Sequence, residues 1–297
     1  MLVLKHKLIN DLEKNKNCKI KILLIYIILY INMNGKAIFI NNIMCNKGQK
    51  KIGVEQGGQH IIEMLVNKYL IHNIYFDREK EYDGYAQTYS YIYNFIDKYF
   101  ILNLGGDHSV GSATVQPLLD KYEDDILIIW IDAHADINTQ ETSVSGNTHG
   151  MPVSCLFNLM PHWYNVNKKH HVLKSENLVY VGIRDLDPPE VDIINKLNIK
   201  YSKTLNEDII EFIKNHPAKK IHISFDIDGL DPKLSPSTGT LASNGLTCED
   251  VLEIVNISKD KLISMDVVEF NPFIGSHEDV VNTLYNISII LEKINIL

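Results

Sequence analysis

The chain has 297 residues, of which 45% are hydrophobic and 22% are charged, and its formal net charge at pH 7 is -8. This length and composition are typical of one large α/β domain, or of two small ones, with an ample hydrophobic core. The acidic balance argues against nucleic-acid binding, because phosphate recognition needs a concentrated basic face.

The N-terminal segment, residues 1–32, contains an apolar run of ten residues, Ile22–Ile31. The run is short for a membrane-spanning helix, which needs about 20 apolar residues, and no small-residue cleavage site follows it. Three interpretations remain for this extension of uncertain role. It is an upstream extension with Met33 as the working start, an extra strand or helix packed on the domain, or a membrane or targeting anchor. We expect no membrane partner.

From Lys36 onward, short apolar runs alternate with longer amphipathic stretches, which is typical of parallel βαβ units. The predicted strands are Ala37–Ile43, Phe100–Leu104, Ile126–Ile131, Leu178–Ile183, Ile221–Phe225 and Leu262–Val268. The predicted helices are Gly58–Tyr69, Thr88–Lys98, Ser112–Lys121, Glu190–Leu197, Asn206–Asn215, Cys248–Asn256 and His277–Lys293. Because the third strand is apolar at every position, we expect helices on both faces of the sheet. No repeat or linker interrupts 33–297, which favours one domain.

Five polar clusters follow directly on the carboxyl ends of predicted strands. They are Gly105–Ser109, Asp132–Asp136, Arg184–Glu190, Asp226–Asp231 and Glu269–Pro272. In open α/β sheets, ligands bind in the crevice at that edge. We therefore expect the five clusters to converge on a single site.

Six side chains in these clusters are candidate metal ligands: His108, Asp132, His134, Asp136, Asp226 and Asp228. The alternate spacing places 132, 134 and 136 on one side of an extended backbone, and 226 and 228 repeat it. Four carboxylates and two imidazoles suit manganese and are enough for two divalent cations with shared ligands. Unpaired aspartates would repel at low dielectric, so a cation is expected. Two adjacent metals imply a water held between them as hydroxide, which indicates a hydrolase.

The alternative for any one of these residues is an ordinary loop role. A single aspartate is more often a solvated or capping residue, and His108 alone would be a hydrogen-bonded loop histidine. The paired spacing directly after apolar strands disfavours that interpretation. The four cysteines, Cys18, Cys45, Cys155 and Cys248, are scattered without paired spacing. They predict reduced, mostly buried thiols of a cytoplasmic protein.

Three stretches resemble the signature blocks of the ureohydrolase family, and within it those of the arginases. They are Gly105–Ser109, Asp132–Asp136 and Ser224–Pro232. The resemblance implies a catalytic domain over 33–297 with a three-layer α/β/α fold and a mostly parallel central sheet. It also implies a hydrolase that converts L-arginine and water to L-ornithine and urea, assembled as a homo-oligomer, either trimer or hexamer.

The same resemblance implies two Mn2+ ions per chain. The ligands of one ion would be His108, Asp132, Asp136 and Asp226, and those of the other would be His134, Asp132, Asp226 and Asp228. Asp132 and Asp226 would bridge the two ions. Asp136 would also accept a hydrogen bond from the hydroxide that attacks the guanidinium carbon. His149 would deliver a proton to the leaving ornithine, since an imidazole titrates near operating pH.

Residues outside the metal blocks carry the predicted substrate specificity. The resemblance implies contacts from Asn138, Ser145 and Asn147 to the α-carboxylate, from Asp187 and Glu190 to the α-ammonium, and from Thr240 and Glu269 to the guanidinium group. A cationic end then meets carboxylates, and a carboxylate meets neutral donors. Agmatinase-like members are expected to lack the stretch 145–147.

These binding residues also have structural interpretations. Asp187 is a natural helix N-cap and Glu190 suits a first helical turn, while Ser145–Asn147 would suit any turn. Glu269 after a strand would serve as a cap or an ion-pair partner.

Two loops depart from the arginase pattern. Leu241–Gly245 stands where arginases usually have a proline and two glycines, and Gly57–Gln59 lacks the usual Gly-Pro. Asparagine takes left-handed backbone angles readily, so we expect Asn244 to be tolerated. The alternatives to an arginase are another ureohydrolase (agmatinase, guanidinobutyrase or formiminoglutamase) and a weakly catalytic arginine-binding protein.

Overall fold

The computed structural model describes residues 36–65, 69–76, 83–166 and 169–294. The N-terminal segment 1–32, with Cys18 and Met33, lies outside these residues, so its three interpretations stay predictions. None of the described helices combines the length and the hydrophobicity of a membrane-spanning segment. The three cysteines that they include, Cys45, Cys155 and Cys248, are free and buried, as predicted.

A single eight-stranded sheet forms the centre of the described chain. Its strands are β1 Ile38–Met44, β2 Leu70–Tyr75, β3 Phe100–Leu104, β4 Ile126–Ile131, β5 Leu178–Val181, β6 Lys200–Ser202, β7 Lys220–Asp226 and β8 Leu262–Val268. Their order across the sheet is β2-β1-β3-β8-β7-β4-β5-β6, and every pairing is parallel. The prediction of a mostly parallel α/β sheet is therefore confirmed, and the described sheet is parallel throughout.

Helices cover both faces of this sheet. They are α1 Gly57–Met64, α2 Asp83–Phe95, α3 Gly111–Tyr122, α4 Pro152–Leu156, α5 Pro188–Leu197, α6 Glu207–Asn215, α7 Cys248–Ser258 and α8 His277–Lys293. Alternate residues of β4 explain the two layers, because Leu127, Ile129 and Ile131 pack with α1, α6, α7 and α8. Ile128 and Trp130 pack with α2 to α5 on the other face. The predicted three-layer arrangement is confirmed.

Most differences from the predicted elements lie at the sheet edges. The helix predicted at Gly58–Tyr69 ends at Met64, and the unpredicted strand β2 follows it. The helix predicted at Thr88–Lys98 begins at Asp83, because Tyr85 and Tyr89 lie on its buried face. The strand predicted at Leu178–Ile183 ends at Val181, since the next residue, a glycine, takes a φ of 100°.

The turn after β3 requires glycine at two successive positions. Gly105 and Gly106 have φ angles of 93° and 74°, and a Cβ on Gly106 would lie 2.9 Å from the carbonyl oxygen of Ile43. The Asp107 carboxylate then accepts hydrogen bonds from the backbone of Gly48 at 2.8 Å and of Ser109 at 3.1 Å. The turn is thereby fixed, and it directs the next side chain, a histidine, across the carboxyl ends of the central strands.

Candidate active site

The first ligand group consists of His108, Asp132 and Asp226, whose ligand atoms all lie within 4.8 Å of one another. His108 Nδ1 is 2.9 Å from Asp132 Oδ2 and 3.3 Å from Asp226 Oδ2. It is also 3.0 Å from Oδ2 of Asp136, which adjoins the group. One imidazole nitrogen and three carboxylate oxygens from β3, β4 and β7 thus converge in a buried space.

The second ligand group consists of Asp132, His134 and Asp228. His134 Nδ1 lies 3.4 Å from Asp132 Oδ1 and 3.2 Å from Asp228 Oδ2. Asp132 therefore belongs to both groups and faces each with a different oxygen atom, whereas Asp226, which was also predicted to bridge, belongs to the first group alone. The two groups lie side by side at the carboxyl edge of the sheet, as expected for a crevice at that edge.

The chemistry of these donors fits divalent cations. His108 Nδ1 and Asp136 Oδ2 are buried, and neither makes a hydrogen bond despite their close approach. Burial, and then the charge of Asp132, raise the pKa values of Asp136 and Asp228 to about 6 in the metal-free chain. A bound cation would relieve this repulsion, and oxygen and imidazole ligands without thiolate suit a hard or borderline ion.

The candidate ligand His108 is held from behind by two side chains that sequence analysis missed. Its Nε2 lies 2.9 Å from the hydroxyl of Ser224, and its ring stacks on Trp130 with centroids 4.2 Å apart. Trp130 Nε1 also donates to Asp132 Oδ2 at 3.1 Å. The strand period of two could have indicated both residues, since each precedes a ligand aspartate by two positions. Such outer contacts orient the ligands of a metal site.

Glu269 connects the metal groups to the predicted proton donor. Its Oε1 accepts hydrogen bonds from the backbone of His108 at 2.8 Å and from His149 Nδ1 at 3.0 Å. Its Oε2 accepts from Gln49 Nε2 at 2.6 Å, a residue that carried no signal in the sequence. Glu269 holds a left-handed backbone with φ 65°, which is uncommon for this residue type, and its side chain lines the cavity described below.

The ion pair between His149 and Glu269 gives a pH-dependent contribution to stability. Burial disfavours protonation, but the hydrogen bond and charge of Glu269 outweigh it and raise the pKa of His149 to about 9. A histidine whose pKa is raised in the folded state contributes its full stabilisation of the fold at pH values below its ordinary pKa of about 6.5. That contribution is lost as pH rises through the folded-state pKa. We expect His149→Asn to destabilise the metal-free protein by roughly 2 kcal/mol at pH 6.

That deficit is expected to shrink as pH rises from about 6.5 to about 9 and to be largely lost above 9, which denaturant unfolding of the EDTA-treated protein measures. His277→Asn, an exposed residue at the start of α8, serves as the control and should show no such trend. A deficit that is constant from pH 6 to pH 10 would contradict the assignment.

A cavity of about 320 Å³ opens above the two ligand groups. Its lining residues come from all five predicted clusters, from the loop between β4 and α4 and, for Thr240, from the segment between β7 and α7: His108, His134, Asp136, Asn138, Ser143, Ser145, Asn147, His149, Gly150, Asp185, Asp187, Glu190, Asp226, Asp228, Thr240 and Glu269. The structure thus brings every predicted site residue except the buried Asp132 to the cavity wall, and Asp132 lies directly beneath it. Ser143, Gly150 and Asp185 were not predicted.

At the end of the cavity away from the two ligand groups, the Glu190 carboxylate holds two backbone segments. Its Oε2 accepts from the backbone of Asp187 at 3.0 Å, and its Oε1 accepts from the backbone of Ile137 at 3.2 Å. Asp187 is the N-cap of α5, and its Oδ2 accepts from Asn138 Nδ2 at 3.0 Å. Asp187 is therefore the helix N-cap, and Glu190 lies in the first helical turn, as their structural interpretations stated. Asp187 also faces the cavity while it caps the helix.

Two further predicted features can be located. Ser145 is exposed and its hydroxyl accepts from the backbone of Asn147 at 3.2 Å, which is the turn that the sequence allowed. Asn244 has φ 64°, so the expected left-handed asparagine is confirmed. The altered loop Leu241–Gly245, which follows the cavity residue Thr240 and is called the rim loop below, is therefore compatible with a regular turn.

Residues 37–291 match the model of the Arginase family. An arginase of Neurospora crassa is 39% identical over 199 residues, which are 61% of this chain and 55% of that protein. An arginase of Saccharomyces cerevisiae is 38% identical over 236 residues, or 70% of this chain and 69% of that protein.

Solved structures agree with the sequence relatives. The crystal structure of Entamoeba histolytica arginase in complex with L-ornithine has a TM-score of 0.72 and 28% identity, and it covers 85% of this chain and 97% of that chain. The matching region spans little more than half the length of relatives such as the Neurospora protein.

Proposed function

This chain belongs to the arginase family, and from that premise we propose that it hydrolyses L-arginine to L-ornithine and urea. The observation that carries the proposal is the pair of ligand groups sharing Asp132 at the floor of the cavity. The cavity is lined by carboxylates that can accept hydrogen bonds from a cationic group, and it lies above the two ligand groups. It suits a long cationic substrate whose guanidinium group reaches those ligand groups.

We propose two Mn2+ ions as the cofactors. The residues that would hold them are the predicted ligands His108, Asp132, His134, Asp136, Asp226 and Asp228. When bound, the ions would supply Lewis acidity and lower the pKa of water toward neutral values.

Side chains near the two ligand groups would bind the guanidinium group and transfer the proton. Glu269, fixed by three donors, would accept hydrogen bonds from the guanidinium group, and Thr240 would face it from the rim. His149, charged in the metal-free site at neutral pH, would hold the proton that the departing amine takes up. Asp136, with one unpartnered oxygen, would accept a hydrogen bond from the attacking group as well as bind metal.

The opposite end of the cavity would bind the amino-acid part of the substrate. Asn138, Ser145 and Asn147 would donate to the α-carboxylate, and Asp187 would accept from the α-ammonium. Glu190 would act in part through its hold on the backbone of Asp187, since both of its oxygens are already engaged. We further propose a cytoplasmic homo-oligomer, trimer or hexamer, which light scattering of the purified protein would test.

The test is urea release by protein purified after manganese loading, with L-arginine, agmatine and guanidinobutyrate as separate substrates. Turnover of L-arginine alone supports the proposal. Preference for agmatine keeps the metal chemistry and removes the proposed contacts to the α-carboxylate. No urea from any of the three substrates contradicts hydrolysis and favours an arginine-binding protein.

Asp187→Asn is expected to raise KM for L-arginine about 10–100-fold, because a hydrogen bond to a charged group contributes about 1.5–3 kcal/mol. Asparagine caps helices as well as aspartate does, so α5 should persist. Asp192→Asn, on the exposed side of α5, is the matched control, and an unchanged KM for L-arginine in Asp187→Asn would remove Asp187 from the binding site.

A further inference from the structure

Arginine is rare in this chain, which has lysine at nearly every basic position. Two of its 29 lysines and arginines are arginine, Arg78 and Arg184, and Arg78 lies outside the described residues. Arg184 is half-buried just after β5, next to the candidate active site but not on the cavity wall. Its side chain is therefore placed to act on the site through other residues.

The guanidinium group of Arg184 donates to backbone carbonyls of three separate segments. The acceptors are Gly182 at 2.9 Å, Asp228 at 2.6 Å, Gly229 at 3.2 Å, Leu230 at 3.1 Å, Ala242 at 2.7 Å and Ser243 at 3.2 Å. Its backbone N–H also donates to the carbonyl of Ala133 at 2.9 Å, between two metal-group residues. One residue thus joins β5, the turn after β7 and the rim loop.

Three of these acceptors belong to the turn that carries Asp228. The Asp228 carboxylate is held separately, since its Oδ1 accepts from the backbone of Ala133 at 3.1 Å. Arg184 therefore fixes the backbone of Asp228 while Ala133 fixes its side chain. Together they place Asp228 Oδ2 3.2 Å from His134 Nδ1 in the second ligand group.

The contacts to Ala242 and Ser243 lie in the rim loop, two and three residues beyond the cavity residue Thr240. Because the same guanidinium group holds this loop and the Asp228 turn, a shift of either segment would strain its contacts to the other. Lysine cannot replace these contacts, since it has three donors on one nitrogen atom instead of five in a planar fork.

We propose that Arg184 is a positioning residue that holds Asp228 in the second ligand group and keeps the rim loop at Thr240 in place. This inference rests on the proposed function, because it takes the second ligand group as a manganese site. The first ligand group is different, since its histidine is held by Ser224 and Trp130, and Arg184 does not contact it.

The test is a manganese titration of the parent and of Arg184→Lys, with the free ion followed by electron paramagnetic resonance. We expect one of two binding equilibria to weaken about 10–100-fold, as for other residues that orient metal ligands, and the second to change less than about twofold. In Asp228→Ala, which lacks the second group, adding Arg184→Lys should leave the remaining manganese affinity unchanged. KM for L-arginine should rise in Arg184→Lys through the displaced rim loop.

Lys203→Arg exchanges the same two residue types at an exposed position and should leave both equilibria unchanged. If Arg184 had a purely structural role, Arg184→Lys would lower the unfolding temperature in EDTA and weaken both manganese-binding equilibria alike, which would overturn the inference. Unchanged manganese binding in Arg184→Lys would also overturn it. A loss of affinity that persists in the Asp228→Ala background would also overturn it. A parent chain that binds no Mn2+ overturns the proposed function too, whereas a parent with two sites and an insensitive Arg184→Lys overturns this inference alone.

Discussion

Asp132→Ala is expected to remove manganese from both ligand groups and to lower kcat/KM for L-arginine by at least about 1,000-fold. Among the described residues, Asp132 is the one that both groups share, with a different oxygen facing each histidine. Loss of bound metal removes several kcal/mol of transition-state stabilisation, and each 1.4 kcal/mol corresponds to a factor of about ten. Metal content per chain and urea release together measure the result.

Two variants give this experiment its controls. Asp136→Ala adjoins only the first group, so it is expected to lose one metal and nearly all turnover. Asp208→Ala removes an exposed carboxylate on α6 and should keep both metals and full activity. If Asp132→Ala retains two ions, or turns over L-arginine at near-parent rates, the shared-ligand arrangement is wrong.

Asp266→Leu is expected to destabilise the metal-free protein by about 3–5 kcal/mol, the usual cost of leaving a buried charge network without one partner. Asp266 is fully buried on β8 and accepts from Asn103 Nδ2 and Thr114 Oγ1, each at 2.6 Å. Its Oδ2 also lies 3.2 Å from His222 Nε2 and 3.3 Å from the Ser224 hydroxyl. Leucine would leave these donors buried without an acceptor.

Denaturant unfolding in EDTA measures this effect apart from metal binding. Asp266→Asn keeps the size and one acceptor oxygen, so its deficit should be smaller than that of the leucine variant. Asp208→Leu, on the exposed surface of α6, controls for loss of a carboxylate and should change stability by less than about 0.5 kcal/mol. A leucine variant as stable as the parent would show that the network at Asp266 contributes little to the fold.

The sequence predicted the central strands well and the edge strands poorly. Phe100–Leu104, Ile126–Ile131 and Leu262–Val268 have their predicted bounds because most residues of a strand covered on both faces are apolar. At the edges this signal is absent. Leu70–Tyr75 carries a histidine and an asparagine and has four exposed residues, and Lys200–Ser202 has only three residues that pair with β5.

The site was predictable to the extent that its chemistry lies in short motifs. The alternate spacing after β4 and β7 indicates ligand geometry directly, because strand periodicity fixes which side chains share a side. Gln49 was beyond prediction, since its contact with Glu269 joins residues 220 positions apart. The dual role of Glu190 was also hidden, because a residue type does not reveal which backbone amides it will meet.

The strand order has a consequence for how the chain folds during synthesis. The strands β1 to β3 pair among themselves, and so do β4 to β6, but the two sets are joined only through β7 and β8. Until residues 220–268 have left the ribosome, β3 and β4 are both apolar edges without a neighbour. Such edges pair readily with other chains, and long-range parallel pairing is slow to form. We therefore expect the nascent protein to be most prone to aggregation just before β7 and β8 emerge. Only after those two strands pair can the candidate metal ligands of the two sets of strands meet.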